Sequence, residues 1–146
     1  MAAPQILLVE EDPADTKRIC DALQEDGPPI QLEVLPSSHD AVQYLRSLSP
    51  SDGAARPSLI LLSMQPPHLS NSAVLTVLQN NPLLRQIPVV VLTRSRAISD
   101  MLHSYDLYAN SCVLKPAEDA AFRRAIRAIR RFWIDLAVLP SHEGHR

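Results

Sequence analysis

The chain has 146 residues, 46% of them apolar and 21% charged, with a formal net charge of -2. This is the profile of one soluble domain with a real core, and it excludes a nucleic-acid or membrane binder that works through overall basic charge. The longest apolar stretches are too short to cross a bilayer, no export leader is expected, and Cys20 and Cys112 form neither a disulfide framework nor a metal-ligand spacing, so a reducing cytoplasm is the expected setting.

In chain order, Gln5 to Val9 is predicted as a buried strand. Asp12-Pro13-Ala14-Asp15 then has the chemistry of a helix start: a side-chain acceptor, a proline at the first helical position and acid in the first turn. Thr16, Ile19, Cys20 and Leu23 mark one face of that helix, and Asp26-Gly27-Pro28-Pro29 ends it. Ile30 to Leu35 alternates like a more exposed strand, and Ser38 opens a helix carrying Ala41, Leu45 and Leu48. Leu59 to Leu62 is the third strand, and Ser70 to Asn80 a helix with Val74, Leu75 and Leu78 inward, broken by Asn81-Pro82. Pro88 to Leu92 is a β-branched run of the kind found in central parallel strands. Ile98, Met101, Leu102 and Tyr105 give a short amphipathic helix, and Ser111 to Leu114 the fifth strand. A last helix runs from Ala117 to about Leu136 with Phe122, Ile126, Ile129, Trp133 and Leu136 at spacings of three and four.

Five short apolar strands alternating with helices predict an α/β fold with a doubly wound parallel sheet, flavodoxin-like, in the order 2-1-3-4-5. One domain is expected over residues 1–139, with a flexible tail over 140–146. A ligand site in such a sheet lies at the carboxyl ends of the strands. There the sequence places Glu10 and Glu11 after strand one, Ser63 after strand three, Thr93 after strand four and Lys115-Pro116 after strand five. An acid pair, a hydroxyl and a lysine at one crevice suit a hard divalent cation and a phosphoryl group, and as present chemistry they also suit a self-satisfied polar rim.

Ile-Leu-Leu-Val-Glu-Glu-Asp-Pro-Ala-Asp, Ile-Pro-Val-Val-Val-Leu-Thr and Val-Leu-Lys-Pro together resemble the receiver domain of response regulators, from Gln5 to about Leu136. Asp-Pro-Ala-Asp and the late Phe132-Trp133 look like the stand-alone receivers that partner bacterial phytochrome kinases, in which the terminal segment commonly helps build a homodimer. The resemblance implies an acid pair holding Mg²⁺ at Glu10 and Glu11, with the Gln65 backbone carbonyl as the third protein ligand. It implies the phosphoacceptor position at Ser63, the switch hydroxyl at Thr93 and the paired lysine at Lys115.

Ser63 departs from that pattern, where the family has an aspartate. A carboxylate is already ionised and attacks phosphohistidine readily, whereas a serine hydroxyl is protonated at neutral pH and needs a positioned base. His68, the nearest histidine in sequence, falls in the following loop. Two glutamates replace the usual three carboxylates, and Glu11 adds a methylene where Mg²⁺ demands near-ideal geometry, so Mg²⁺ binding is expected to be weak or lost and no cofactor is expected. Lys115 is then expected to pair with Glu11 or Glu10 directly. Cys112 stands for the aromatic that rotates on activation and reads as an inert buried thiol. Arg94 replaces the small residue after the switch threonine and reaches over the crevice, while Tyr108 and Asn71 replace customary glycines.

The reading that follows is a phosphorylation-incompetent pseudo-receiver, without enzyme activity, acting as a dimeric interaction module with a sensor histidine kinase or another signalling protein. The alternative is a working response regulator phosphorylated at a substitute residue, or carrying an engineered serine. Phe122, Ile126, Ile129, Phe132 and Trp133 are the expected dimer surface, although the first three also suit packing onto the sheet. Arg123, Arg124, Arg127, Arg130 and Arg131 read as a solvated face, and neither nucleic acid nor membrane is an expected partner.

Overall fold

The computed structural model describes residues 3–25, 27–48, 56–65, 72–104 and 109–136. Five strands, β1 (Gln5–Val9), β2 (Gln31–Leu35), β3 (Leu59–Ser63), β4 (Val89–Thr93) and β5 (Ser111–Leu114), form one sheet in the order β2-β1-β3-β4-β5. Every pairing is parallel, as the alternation of strands and helices requires. The helices are α1 (Pro13–Glu25), α2 (Ser38–Ser47), α3 (Ser72–Gln79), α4 (Arg96–Ser104) and α5 (Asp119–Arg130). The fold expected from the sequence is therefore the fold observed. No described helix is long and apolar enough to cross a membrane.

The continuously apolar strands bury both faces because successive side chains point to opposite sides. Ile6, Leu8, Leu59, Leu61, Val90 and Leu92 meet Ile19 and Leu23 of α1 and Phe122, Ile126 and Ile129 of α5. Leu7, Val9, Ile60, Leu62, Val89 and Val91 meet α2, α3 and α4 through Leu45, Val74, Leu75, Leu78 and Ile98. Edge strand β2 is only half-buried, as its alternating pattern foretells.

Local chemistry sets the helix ends. Asp12 accepts from the Asp15 amide at 3.2 Å, and Pro13 takes the first helical position, where no amide donor is missed. Ser37 caps α2 by accepting from the Asp40 amide at 3.1 Å, one residue ahead of the serine expected to open it. The last helix is shorter at its start than expected and changes character at its end, where Arg131–Leu136 forms a π-turn. A 3₁₀ turn at Leu84–Gln86, not expected, follows Asn81, whose side chain accepts from the Leu83 amide at 2.9 Å. Tyr105, Tyr108, His68, Asn71 and the expected tail over 140–146 lie outside the described residues.

Arg130, read from the sequence as part of a solvated face, is only 4% exposed. Its guanidinium donates to the Leu23 carbonyl at 2.6 Å and to the Pro28 carbonyl, and it faces Asp135 at 3.4 Å. It thus satisfies the Leu23 carbonyl in the last turn of α1, which the helix cannot satisfy itself, together with a carbonyl of the loop that follows. Gly27 makes room for it: its φ is +88°, and a Cβ there would stand 2.7 Å from Arg130 Nη2. Gly27→Ala is expected to cost about 1–2 kcal/mol from the left-handed backbone alone, measured as a lower denaturation midpoint at unchanged slope.

Phe122, Ile126 and Ile129 are 1%, 2% and 7% exposed, packed on the sheet. This corrects their expected place in a dimer surface: a face already committed to the core has no area left for a second copy. Phe132 is 57% exposed, with its ring edge-on to half-buried Trp133 at 5.0 Å between centroids.

Candidate functional site

The ends of β1, β3, β4 and β5 and the first turn of α1 converge on one buried polar cluster. Glu10, Ser63, Thr93 and Lys115 are all buried there, and so is Asp15, which is fully enclosed. Ser63 donates its hydroxyl to Glu10 Oε1, and the same oxygen accepts from Lys115 Nζ at 2.8 Å. Glu10 Oε2 accepts from the Asp12 amide at 3.1 Å, which ties the strand end to the helix cap.

Asp15 is the functional-site residue that sequence reasoning missed, having been counted only as acid in a helix's first turn. Its Oδ2 accepts from Lys115 Nζ at 2.8 Å and Arg94 Nη1 at 2.7 Å. Its Oδ1 accepts from Arg94 Nη2 at 3.0 Å and from Arg18. The Arg94 contact is bidentate, the geometry in which guanidinium and carboxylate match best. Burial pushes the Asp15 carboxyl up, but the hydrogen bonds from Arg94 and Lys115, the charge of Lys115 and the hydrogen bond from Arg18 outweigh it. The carboxyl is held well below the usual range. Its hydrogen bond to Asp15 in turn raises the Arg94 guanidinium.

Two guanidiniums lie over the Phe122 ring, Arg18 at 4.6 Å and Arg94 at 5.9 Å from the centroid, so the ionic cluster rests on the apolar core beneath it. Arg94 therefore does reach across the crevice, from the end of β4 to α1. Its sequence neighbour Thr93 donates to Gln65 Oε1 at 3.3 Å and accepts from the Ser95 amide at 3.0 Å. Gln65 Oε1 also accepts from the Arg94 amide at 3.1 Å, while its buried Nε2 has no hydrogen-bond partner among the described residues.

Lys115 pairs with Glu10, one of the two partners expected for it, and takes Asp15 as a second that was not expected; Glu11 is exposed. A glutamate at the chain's turn away from β1 can carry its charge to water, whereas Asp15 on the inner side of α1 cannot. Cys112 is half-buried rather than buried, and burial pushes its thiol up against a hydrogen bond with Ser99 that lowers it.

A bound Mg²⁺ would compete for oxygens that are already engaged. The ion needs several free oxygens in octahedral array, yet the inward oxygens of Glu10 and Asp15 already accept from Lys115, Arg94 and Arg18. Ser63 offers a neutral hydroxyl whose proton points to Glu10. Among the described residues no group of three or more His, Cys, Asp or Glu side chains could hold a metal ion.

An all-parallel 2-1-3-4-5 sheet, with acid, hydroxyl and lysine gathered at its carboxyl edge, defines a receiver-type signalling domain. The response regulator receiver domain family matches residues 6–127, and this chain belongs to it. The chain is 32% identical over 136 residues to response regulator Rcp1 of Synechocystis sp. (strain ATCC 27184 / PCC 6803 / Kazusa), covering 93% of this chain and 92% of that one. It is 33% identical over 129 residues to the probable methanogenesis regulatory protein FilR2 of Methanothrix harundinacea (strain 6Ac), over 88% and 83% of the two chains. Among solved structures it resembles the phosphorylated cyanobacterial phytochrome response regulator RcpA, with TM-score 0.83, 35% identity and coverage of 95% and 99%. It also resembles the Mn²⁺-bound form of Rcp1, with TM-score 0.80, 31% identity and coverage of 94% and 99%. The chain is thus a response regulator receiver of two-component signalling, related to phytochrome response regulators.

Proposed function

We propose that this receiver works without phosphorylation, as a dimeric interaction module that contacts a sensor histidine kinase or another signalling protein. One observation carries the reading: Ser63, at the end of β3, gives its hydroxyl to Glu10, while Asp15 neutralises Lys115 and Arg94. The two cations that would meet an incoming phosphoryl group are already paired with a buried carboxylate. The hydroxyl needs a base to become a nucleophile, and the carboxylate it touches already holds Lys115. Weak or absent Mg²⁺ binding follows from the same pairing.

Intact-mass measurement after incubation with Mg²⁺ and acetyl phosphate tests the reading. The expected spectrum contains the unmodified chain alone. A phosphate adduct on the native protein, mapped to the crevice, would establish the alternative of a substitute acceptor. Asp15 is the enclosed carboxylate closest to that role, but its two oxygens hold four hydrogen bonds from three cations.

Self-association rests on Phe132 and Trp133 now that the other three aromatic and aliphatic residues belong to the core. An exposed phenyl ring set edge-on to a tryptophan is the kind of anchor found at protein–protein contacts. Light scattering across a dilution series is expected to give twice the 16.2 kDa chain mass, and Phe132→Ser is expected to give the single-chain mass at the same concentrations. A wild-type monomer at high concentration would remove dimerisation from the proposal.

A further inference from the structure

The far ends of α1 and α5, away from the crevice, enclose a cleft of about 610 Å³ whose walls include Arg124, Arg127, Arg130, Arg131 and Asp135. Among the described lining residues stand four guanidiniums and one carboxylate, and even with Glu25 beside Arg127 the cations are in excess, in a chain whose net charge is -2. The arginines are not equivalent. Arg130 is spent on the Leu23 and Pro28 carbonyls and on Asp135, and Arg127 faces Glu25 at 2.6 Å. Arg124 has only Glu118, at 4.0 Å with both side chains well exposed, a pair of little energetic weight. The Arg131 side chain is exposed and has no ion pair or hydrogen bond among the described residues. Structural duties therefore account for two of the four and leave Arg124 and Arg131 with unused donors.

The geometry points to a docking groove for an extended acidic peptide segment of a partner protein. Arg124, Arg127 and Arg131 follow one helical stripe at spacings of three and four, so their charge is spread over about 10 Å along the axis. Alternate side chains of an extended peptide lie about 7 Å apart on one side, which lets two or three carboxylates meet successive guanidiniums. A compact anion could meet only one or two of them. Between the arginines, Ala22 and Ala128 line the cleft with no more than a methyl group each. This groove does not depend on the state of the crevice or on self-association.

Fluorescence anisotropy with the full chain tests it, using a labelled peptide of three glutamates alternating with serines and its glutamine counterpart. At low salt the glutamate peptide is expected to bind about tenfold more tightly than the glutamine one, the effect of two surface ion pairs. The difference should shrink as salt rises. Arg124→Glu with Arg131→Glu is expected to abolish it while leaving the thermal midpoint in place, since neither side chain is buried. Equal binding of the two peptides, or undiminished binding by the double variant, would overturn the proposal. So would displacement of the peptide by inorganic phosphate at constant ionic strength, which would make the cleft a compact-anion site.

Discussion

Asp15→Ala is expected to lower folding stability by about 3 kcal/mol, the scale for breaking a buried ion pair from one side. The loss falls chiefly on Lys115, whose side chain is 1% exposed and would keep only Glu10. Arg94 and Arg18, at 43% and 27% exposure, can turn to water and recover part of what they lose. Asp15→Asn keeps the shape and removes the charge, so it should lose nearly as much. Pairing Asp15→Leu with Lys115→Met removes both charges, which is expected to be milder than the single change even though Glu10 stays behind. Urea denaturation of the three variants measures this, and an Asp15 single variant as stable as the wild type would remove Asp15 from the centre of the cluster.

The same carboxylate sets a pH dependence. Its folded-state value is depressed below the ordinary 3.8, so the folded state resists taking up its proton. The stability it contributes is present in full above the unfolded value and is lost as pH falls from there toward the folded one. Wild-type stability is therefore expected to drop more steeply below about pH 4 than that of Asp15→Asn. Between pH 5 and 8 the two curves should run parallel.

Ser63→Asp is the second large effect, and its sign depends on the metal. Without metal, the change puts a carboxylate where a hydroxyl now donates to Glu10. Two like charges in a buried site repel, and the hydrogen bond is lost, a penalty of about 2–4 kcal/mol. Lys115 cannot relieve it in full, because it already serves Glu10 and Asp15. The variant should therefore unfold at lower denaturant in chelator and regain stability as Mg²⁺ is added, by about 2.7 kcal/mol at a hundredfold excess over its dissociation constant. Wild-type protein should show no such dependence over the same range. A wild type stabilised by Mg²⁺ as strongly as the variant would show that its donor set holds the ion after all.

Much of this was legible in the sequence. The strands announced themselves as short apolar runs because both faces of a parallel sheet are covered, and Asp12-Pro13 announced α1 because capping is decided within four residues. The crevice members Glu10, Ser63, Thr93 and Lys115 were legible too, since strand ends fall at one edge of such a sheet whatever the loops between them do. Arg94 was seen as crossing the crevice; its destination was not. Asp15 could have been suspected from its place in the first turn of a helix that begins above the strand ends, but nothing local ties it to a lysine one hundred residues later.

What the sequence determined by itself, then, was periodicity and punctuation, and through them the topology and the identity of the groups at the strand ends. The tertiary structure alone decided how charge is distributed among them. It chose Asp15 over Glu11 as the partner of Lys115, withdrew Phe122, Ile126 and Ile129 into the core, and made Arg130 a buried cap while leaving Arg124 and Arg131 at an open cleft. These outcomes turn on burial and on distances between residues far apart in the chain. An ion pair gains or loses its weight by how far water is excluded from it, and that is a property of the packed molecule.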